Sequence, residues 1–302
     1  MEKKPKITVV GSINMDLVTI TSQAPQRGET LFGEHFQMNP GGKGANQAVA
    51  AAKLGAQVQL IGCVGNDRFG QDIVAYLQEQ GVNVSNVEPV TDVTGTATII
   101  VADQDNSIIY VPGANNHVTS SFIESKRDVI AASDILVLQL EIPLEGVQKA
   151  VQIAKENGIK VILNPAPIQS LPSDLLKNID YLTPNEHEQV LLRQDRSTEE
   201  LDGKLIVTMG SQGVCIYEQG EGVIIPAYKI DVVDTTGAGD SFNGGLAHAL
   251  SKGLNLKDAC KYGNAVAALS TTKLGAQTGM PTGAEVEDFM NSQGSFVHKS
   301  YI

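Results

Sequence analysis

An α/β fold built on a mostly parallel sheet, with a small second β-sheet inserted into the frame, is what the sequence predicts. Short runs rich in Val and Ile alternate with helical stretches of about 10–15 residues, the pattern of right-handed βαβ units. In two places, around 16–37 and 94–111, strand-like pieces follow one another with no helix between them. Ligands of parallel sheets sit at the carboxyl ends of the strands, so the loops after strands are where function is sought.

Taken in order, Ile7-Thr-Val-Val-Gly11 reads as a buried strand, and 43–54 as an Ala-rich helix stopped by Gly55. Residues 58–64 are the next strand and 69–80 the next helix, stopped by Gly81. Thr96-Ala-Thr-Ile-Ile-Val101, a polar turn over 103–106, and Ser107-Ile-Ile-Tyr-Val111 read as a hairpin. Residues 134–140 form a strand, and 143–157 a helix with Pro143 in its first turn and Gly158 after its end. Strands at 160–163 and 204–208 continue the rhythm.

Composition narrows the function classes. The 302 residues are 42% hydrophobic and 19% charged, which excludes a disordered chain. A formal charge of −12 argues against nucleic acid as a partner, because the phosphate backbone must be neutralised by Lys and Arg clusters. It leaves an anionic small ligand open. No apolar run approaches about 18 residues, so no membrane helix is expected. The basic start Met1-Glu-Lys-Lys-Pro-Lys6 lacks the apolar stretch and cleavage site of a signal peptide, so a cytoplasmic protein is expected. Cys63, Cys215 and Cys260 are odd in number, far apart and form no CxxC; buried thiols are expected rather than disulfides or a zinc site. The five scattered His residues suggest no metal site either.

Four segments carry candidate chemistry. In Asp234-Thr-Thr-Gly237-Ala238-Gly239-Asp240, two glycines let backbone approach a ligand, and a helix running on towards Ser251 aims amides and its positive end at one spot. Asp240 in the first turn stays ionised there and can accept a proton from an alcohol. An anion hole beside a carboxylate base is what phosphoryl transfer to a hydroxyl needs. Alone, the segment is equally a glycine turn with an acidic helix start. In Asn39-Pro-Gly-Gly42-Lys43-Gly-Ala-Asn46, the spacing is not that of a Walker A loop. Lys43 and Asn46 share a helix face and suit a small polar ligand, or open an ordinary Ala-rich helix. Asn14 and Asp16 lie on one face after the first strand, and Glu141 ends a later strand in the equivalent position. An amide beside a carboxylate suits vicinal sugar hydroxyls, although such residues are also common in loops. Finally, Asn185, His187 and Glu188 precede Thr208-Met-Gly210-Ser211-Gln-Gly213, a strand end turning through two glycines that suits a nucleotide. Its acidic neighbours suit hydrated magnesium, or a helix cap.

In this order, the Gly41-Gly-Lys-Gly-Ala-Asn46 and Asp234-Thr-Thr-Gly-Ala-Gly-Asp240 segments resemble the ribokinase family, the PfkB-type sugar kinases, across essentially the whole chain. Gly11-Ser-Ile-Asn-Met-Asp16, Gly28-Glu-Thr30 and Leu138-Gln-Leu-Glu141 fit its ribose-phosphorylating members. The resemblance implies a three-layer α/β/α sandwich in one domain over 1–302, with a β-lid from about 14–38 and 94–113 that also forms a homodimer contact. It implies ATP-dependent phosphorylation of D-ribose at the 5-hydroxyl, with deoxyribose, fructose or a nucleoside as alternative acceptors, or a non-catalytic sugar- or nucleotide-binding protein. Asn14, Asp16, Gly42, Lys43, Asn46 and Glu141 would hold the sugar. Asp240 would be the base, and the amides of Gly237, Ala238 and Gly239 the anion hole. Asn185, Thr208, Gly210, Ser211, Gly213, Gly239 and Asn264 would line the ATP site, with Glu188 reaching magnesium through water. Potassium would be held by Asp234, Thr236, Ser270, Lys273 and Gly275, largely through backbone carbonyls. Three departures stand out: His187 replaces a small residue or Thr, Gly279 replaces a frequent Ser cation ligand, and the connection over 189–203 is short.

Overall fold

The computed structural model describes residues 4–102, 105–193, 201, 203–218 and 220–294. The chain opens with β1 (Lys6–Val10), β2 (Asn14–Ile20), β3 (His35–Gly41), α1 (Lys43–Lys53), β4 (Gln57–Gly65) and α2 (Arg68–Glu79). It continues through β5 (Val82–Val90), β6 (Gly95–Ala102), β7 (Asp105–Val111), α3 (Ser120–Glu124), α4 (Arg127–Ala131), β8 (Ile135–Leu138) and α5 (Leu144–Glu156). Then come β9 (Lys160–Leu163), α6 (Ser173–Lys177), β10 (Tyr181–Leu182), α7 (Glu186–Arg193), β11 (Ile206–Thr208), β12 (Val214–Glu218) and β13 (Glu221–Ile225). The helices α8 (Ala238–Ser251), α9 (Leu256–Ser270) and α10 (Gly283–Ser292) close the described chain.

Six strands form one sheet in the order β10-β9-β8-β1-β4-β5, every neighbouring pair parallel. β8 is buried along its whole length, and β1 and β9 at every residue but the first, as strands covered on both faces must be. Alternate residues serve opposite faces. Val9 and Val137 join the core with Ala48 of α1, Ile73 of α2 and Phe242 of α8. Val10 and Leu136 join the other core with Ile123 of α3 and Val147 of α5. This is the expected three-layer sandwich.

The expected second sheet is also present, in the order β3-β2-β6-β7. Asn14 at the start of β2 pairs with Gly41 on one side and Gly95 on the other, which ties this sheet to the end of β1. Phe36, Met38 and Ile109 leave it with exposed apolar side chains.

Boundaries expected from the sequence shift by one or two residues. The strands β5, β10, β12 and β13 were not expected at all. β11 joins β10 through two parallel bridges, Leu182–Leu205 and Asn185–Thr208, and β12 and β13 extend it antiparallel, so the sheet is mixed at this edge. Most of the short connection at 189–203 lies outside the described residues. The three cysteines are buried and free, with the Cys63 and Cys260 thiols pushed up to about 12 by burial. Among the described residues no helix is long and apolar enough to cross a membrane.

Candidate active site

The candidate residues gather at the carboxyl ends of the parallel strands, where α1 and α8 begin. The glycines opening α1 are required by close packing. A Cβ at Gly42, whose φ is 91°, would lie 2.8 Å from the Asn14 nitrogen and the Ser12 oxygen. One at Gly44 would lie 2.6 Å from the Gly11 carbonyl carbon and the Ser12 nitrogen. This contact presses the first turn of α1 onto the end of β1. Ser12 Oγ donates to Glu141 Oε2 at 2.5 Å, and the Lys43 amide donates to the same oxygen at 3.2 Å.

Four carboxylates act on the largely buried Lys43 side chain. Burial opposes its charge, but Asp240, Glu141, Glu188 and Asp16 together outweigh burial and raise its pKa. Asp16 is pushed up to about 7, first by burial and then by Glu141 and Asp240, against the pull of Lys43. Gly41 makes room for it, since a Cβ there would stand 2.2 Å from Asp16 Oδ2. Asn14 Oδ1 accepts from Asn115 Nδ2 at 2.7 Å, while Asn115 Oδ1 accepts from the Ile13 amide at 2.9 Å. Tyr110 donates its hydroxyl to the Glu141 carbonyl at 3.1 Å. Neither Asn115 nor Tyr110 was expected from the sequence. Tyr110 lies in the predicted hairpin, but nothing in a strand pattern marks which residue reaches across.

Asp240 sits in the first turn of α8, which Gly237 caps in the left-handed conformation at φ 76°. It is buried, with one amide on each oxygen: Asn46 Nδ2 on Oδ2 at 2.9 Å and Gln47 Nε2 on Oδ1 at 3.0 Å. First-turn amides have no intrahelical acceptor. The Ala238 amide, one of three expected in the anion hole, instead donates to the Thr235 carbonyl at 3.1 Å. At Gly239 a Cβ would meet nothing within 4 Å, so this backbone borders open space. Gln47, Gln139 and Asn164, which support Asp240 from behind, were missed. The available signal was the place of Gln47 one helical turn after Lys43.

In the segment expected to border a nucleotide, Asn185 and Glu188 hold each other. The Asn185 amide donates to Glu188 Oε2 and the Glu188 amide to Asn185 Oδ1, both at 2.8 Å, which caps α7. Burial raises the Glu188 pKa, against the Asn185 amide, Lys43 and His187. His187 is exposed in the same turn. Thr208 follows through its bridge to Asn185, and Gly210 and Gly213 turn the chain at φ 52° and 98° around exposed Ser211. Asn264 Nδ2 donates to the Ile225 and Pro226 carbonyls, both at 3.1 Å, so it anchors the loop leaving β13.

Asp234 is held below the usual carboxylate range because bonds from Thr236 and the Gly275 amide outweigh its burial. The Thr236 hydroxyl donates to Asp234 Oδ1 at 2.7 Å and the Gly275 amide to Oδ2 at 2.8 Å. Lys273 turns its ammonium towards Glu285 at 3.8 Å. A Cβ at Gly279 would lie 2.2 Å from the Ser270 carbonyl oxygen, so a side chain there would require the backbone to shift. Among the described residues no group of three or more His, Cys, Asp or Glu could hold a metal, so any cation here would take most of its ligands from carbonyl, hydroxyl or water oxygens.

A family model described as pfkB family carbohydrate kinase matches residues 4–283. The chain is 46% identical over 288 residues to the ribokinase of Lactococcus lactis, covering 93% of this chain and 96% of that one. It is 43% identical over 290 residues to the ribokinase of Bacillus subtilis, covering 94% and 99%. Among solved structures it is similar to the ribokinase of Arabidopsis thaliana complexed with ribose and ATP, with a TM-score of 0.87 at 31% identity, covering 95% and 99%.

Proposed function

The chain belongs to the pfkB family of carbohydrate kinases, and from that premise we propose that it phosphorylates D-ribose at the 5-hydroxyl with ATP, giving D-ribose 5-phosphate and ADP. The observation that carries the mechanism is Asp240, buried at the start of α8 with both oxygens held by amides and open space beside Gly239. Asn14, Asp16, Lys43, Asn46 and Glu141 hold the sugar, with carboxylates accepting from its hydroxyls and amide or ammonium groups donating. Asp240 takes the proton of the 5-hydroxyl. The hydroxyl oxygen then bonds to the γ-phosphorus as the bond from phosphorus to the bridging oxygen breaks, and ADP leaves with that electron pair. The Gly239 amide and the positive end of α8 face the charge on the transferring group. Asn185, Thr208, Gly210, Ser211, Gly213 and Asn264 border the nucleotide.

The buried Glu188 would reach a magnesium ion through its waters, and Asp234, Thr236 and the Ser270, Lys273 and Gly275 carbonyls would hold potassium. When bound, these ions supply positive charge against the phosphates. In this reading the enzyme works in the cytoplasm, where ATP is supplied, as one kinase domain. It pairs as a homodimer through the apolar face of the β2–β3–β6–β7 sheet, where Phe36, Met38 and Ile109 are exposed.

ADP release is measured with ribose, deoxyribose, fructose and a nucleoside, with and without potassium. Ribose is expected to give the highest kcat/KM and potassium to raise the rate. Another preferred acceptor would overturn the substrate reading. An Asp240→Asn variant that folds and keeps its full rate would overturn the mechanism.

A further inference from the structure

Behind Asp240 lies a run of buried amides that no sugar or nucleotide needs to touch. Gln47 in α1 is fully buried. Its Nε2 donates to Asp240 Oδ1 at 3.0 Å and to Asn164 Oδ1 at 3.3 Å, which uses both of its hydrogens. Its Oε1 accepts from Gln139 Nε2 at 2.6 Å. Asn164 Nδ2 continues to the Thr183 carbonyl at 3.0 Å, the Thr183 hydroxyl donates to Asn243 Oδ1 at 2.7 Å, and Asn243 Nδ2 returns to the Gly239 carbonyl at 2.9 Å. The network therefore closes on the first turn of α8 from both ends.

We propose that Gln47 is a positioning residue that fixes the Asp240 carboxylate for proton abstraction, acting as the last member of an amide relay that starts at Gln139. The proposal rests on the reading of Asp240 as the base. The direction of the relay follows from chemistry. An ionised carboxylate only accepts, so Gln47 must turn its NH2 to Asp240, which leaves its carbonyl for the NH2 of Gln139. Gln139 Oε1 is left buried without a protein partner, as expected when the order is imposed from the carboxylate end. Gly11 gives this oxygen its room, since a Cβ there would stand 1.9 Å from it. Gln139 donates to Gln47 and Gln47 to Asp240, so these two amide dipoles point the same way and hold the carboxylate in place. Asn46 and Gln47 together also set the plane of the carboxylate, which leaves its other lone pairs for the incoming hydroxyl.

The rival role is a plain staple joining α1 to the ends of β8 and β9. Gln47→Met keeps the length and removes the donor, and kcat and ribose KM are measured side by side with the wild type. kcat is expected to fall about tenfold, because a hydrogen bond to a charged group is worth that order. The KM for ribose stays within about threefold, since none of the other proposed sugar ligands bonds to Gln47. Gln139→Met, which leaves Gln47 in place but unanchored, lowers kcat the same way by about threefold, and it carries the test if Gln47→Met does not fold. An unchanged kcat in the folded variants overturns the proposal, as does a rise in KM equal to the loss in kcat. Asp240→Asn in the same assay separates the two readings: full activity there would remove the base itself, whereas an inactive Asp240→Asn beside a fully active Gln47→Met removes only the relay.

Discussion

The molecule opens two helices at the same edge of the sheet with nearly the same words, Gly41-Gly-Lys-Gly-Ala-Asn46 and Gly237-Ala-Gly-Asp240, and uses them in opposite ways. At α1 the glycines face protein: Cβ atoms at Gly42 and Gly44 would run into the backbone of residues 11–14 at 2.6–3.0 Å. At α8, Gly237 also packs on protein, with a Cβ there 2.8 Å from that of Ala276, but Gly239 faces open space. The first loop is therefore short of side chains so that the helix can press against β1, and its later residues, Lys43, Asn46 and Gln47, act through their side chains. The second is bare so that something outside the protein can approach its backbone. A glycine-rich turn alone does not say which of these it is.

Four changes sharpen this contrast, from large effect to small. Asp240→Asn removes the base and sets its own NH2 against one of the two amide donors, and kcat is expected to fall by about 10²–10⁴ in a variant that still folds. Gly44→Ala and Gly239→Ala then separate the two loops. The first forces a methyl group into backbone and should cost about 1–3 kcal/mol in denaturant unfolding. The second should leave stability unchanged or slightly raised, because Ala is the better helix former, while kcat falls about tenfold. If Gly44→Ala were stable and Gly239→Ala unfolded, the comparison would be reversed.

The smallest effect concerns pH. The Asp16 carboxyl is raised from 3.8 to about 7, so between those values the folded protein holds a proton that the unfolded chain has released. Stability contributed by this group is present below about pH 4 and is lost as pH rises to 7. Sugar binding runs the other way, because the ionised carboxylate is the better acceptor for hydroxyls. The KM for ribose is therefore expected to fall severalfold between pH 6 and 8. Asp16→Asn should abolish both slopes, raising the thermal midpoint at pH 8 while weakening ribose binding. A variant whose ribose KM keeps the wild-type pH slope would exclude Asp16 as its source.

Much of this was legible because it is local. Runs such as Ile7-Thr-Val-Val-Gly11 and Lys160-Val-Ile-Leu163 state their burial in their composition, and helix ends at Gly55, Gly81 and Gly158 announce themselves. β12 and β13 escaped because an antiparallel edge hairpin looks like any polar stretch interrupted by apolar residues. Asn185 and Glu188 were legible as a pair, but not as a pair that satisfies itself. Ala238 was legible as part of a glycine turn, but not as a residue whose amide returns to Thr235.

By itself the sequence determined the alternation of strands and helices, the two glycine loops and the acidic residues that follow them, because periodicity and turn chemistry act over a few residues. Only the tertiary structure decided what surrounds Asp240. Asn46 and Gln47 come to it across 194 and 193 residues of chain, and Gln139 joins across 92 more from β8. Such contacts depend on the order of the strands in the sheet and on α1 docking against β1 through its glycines. Neither is written in the local pattern of either segment.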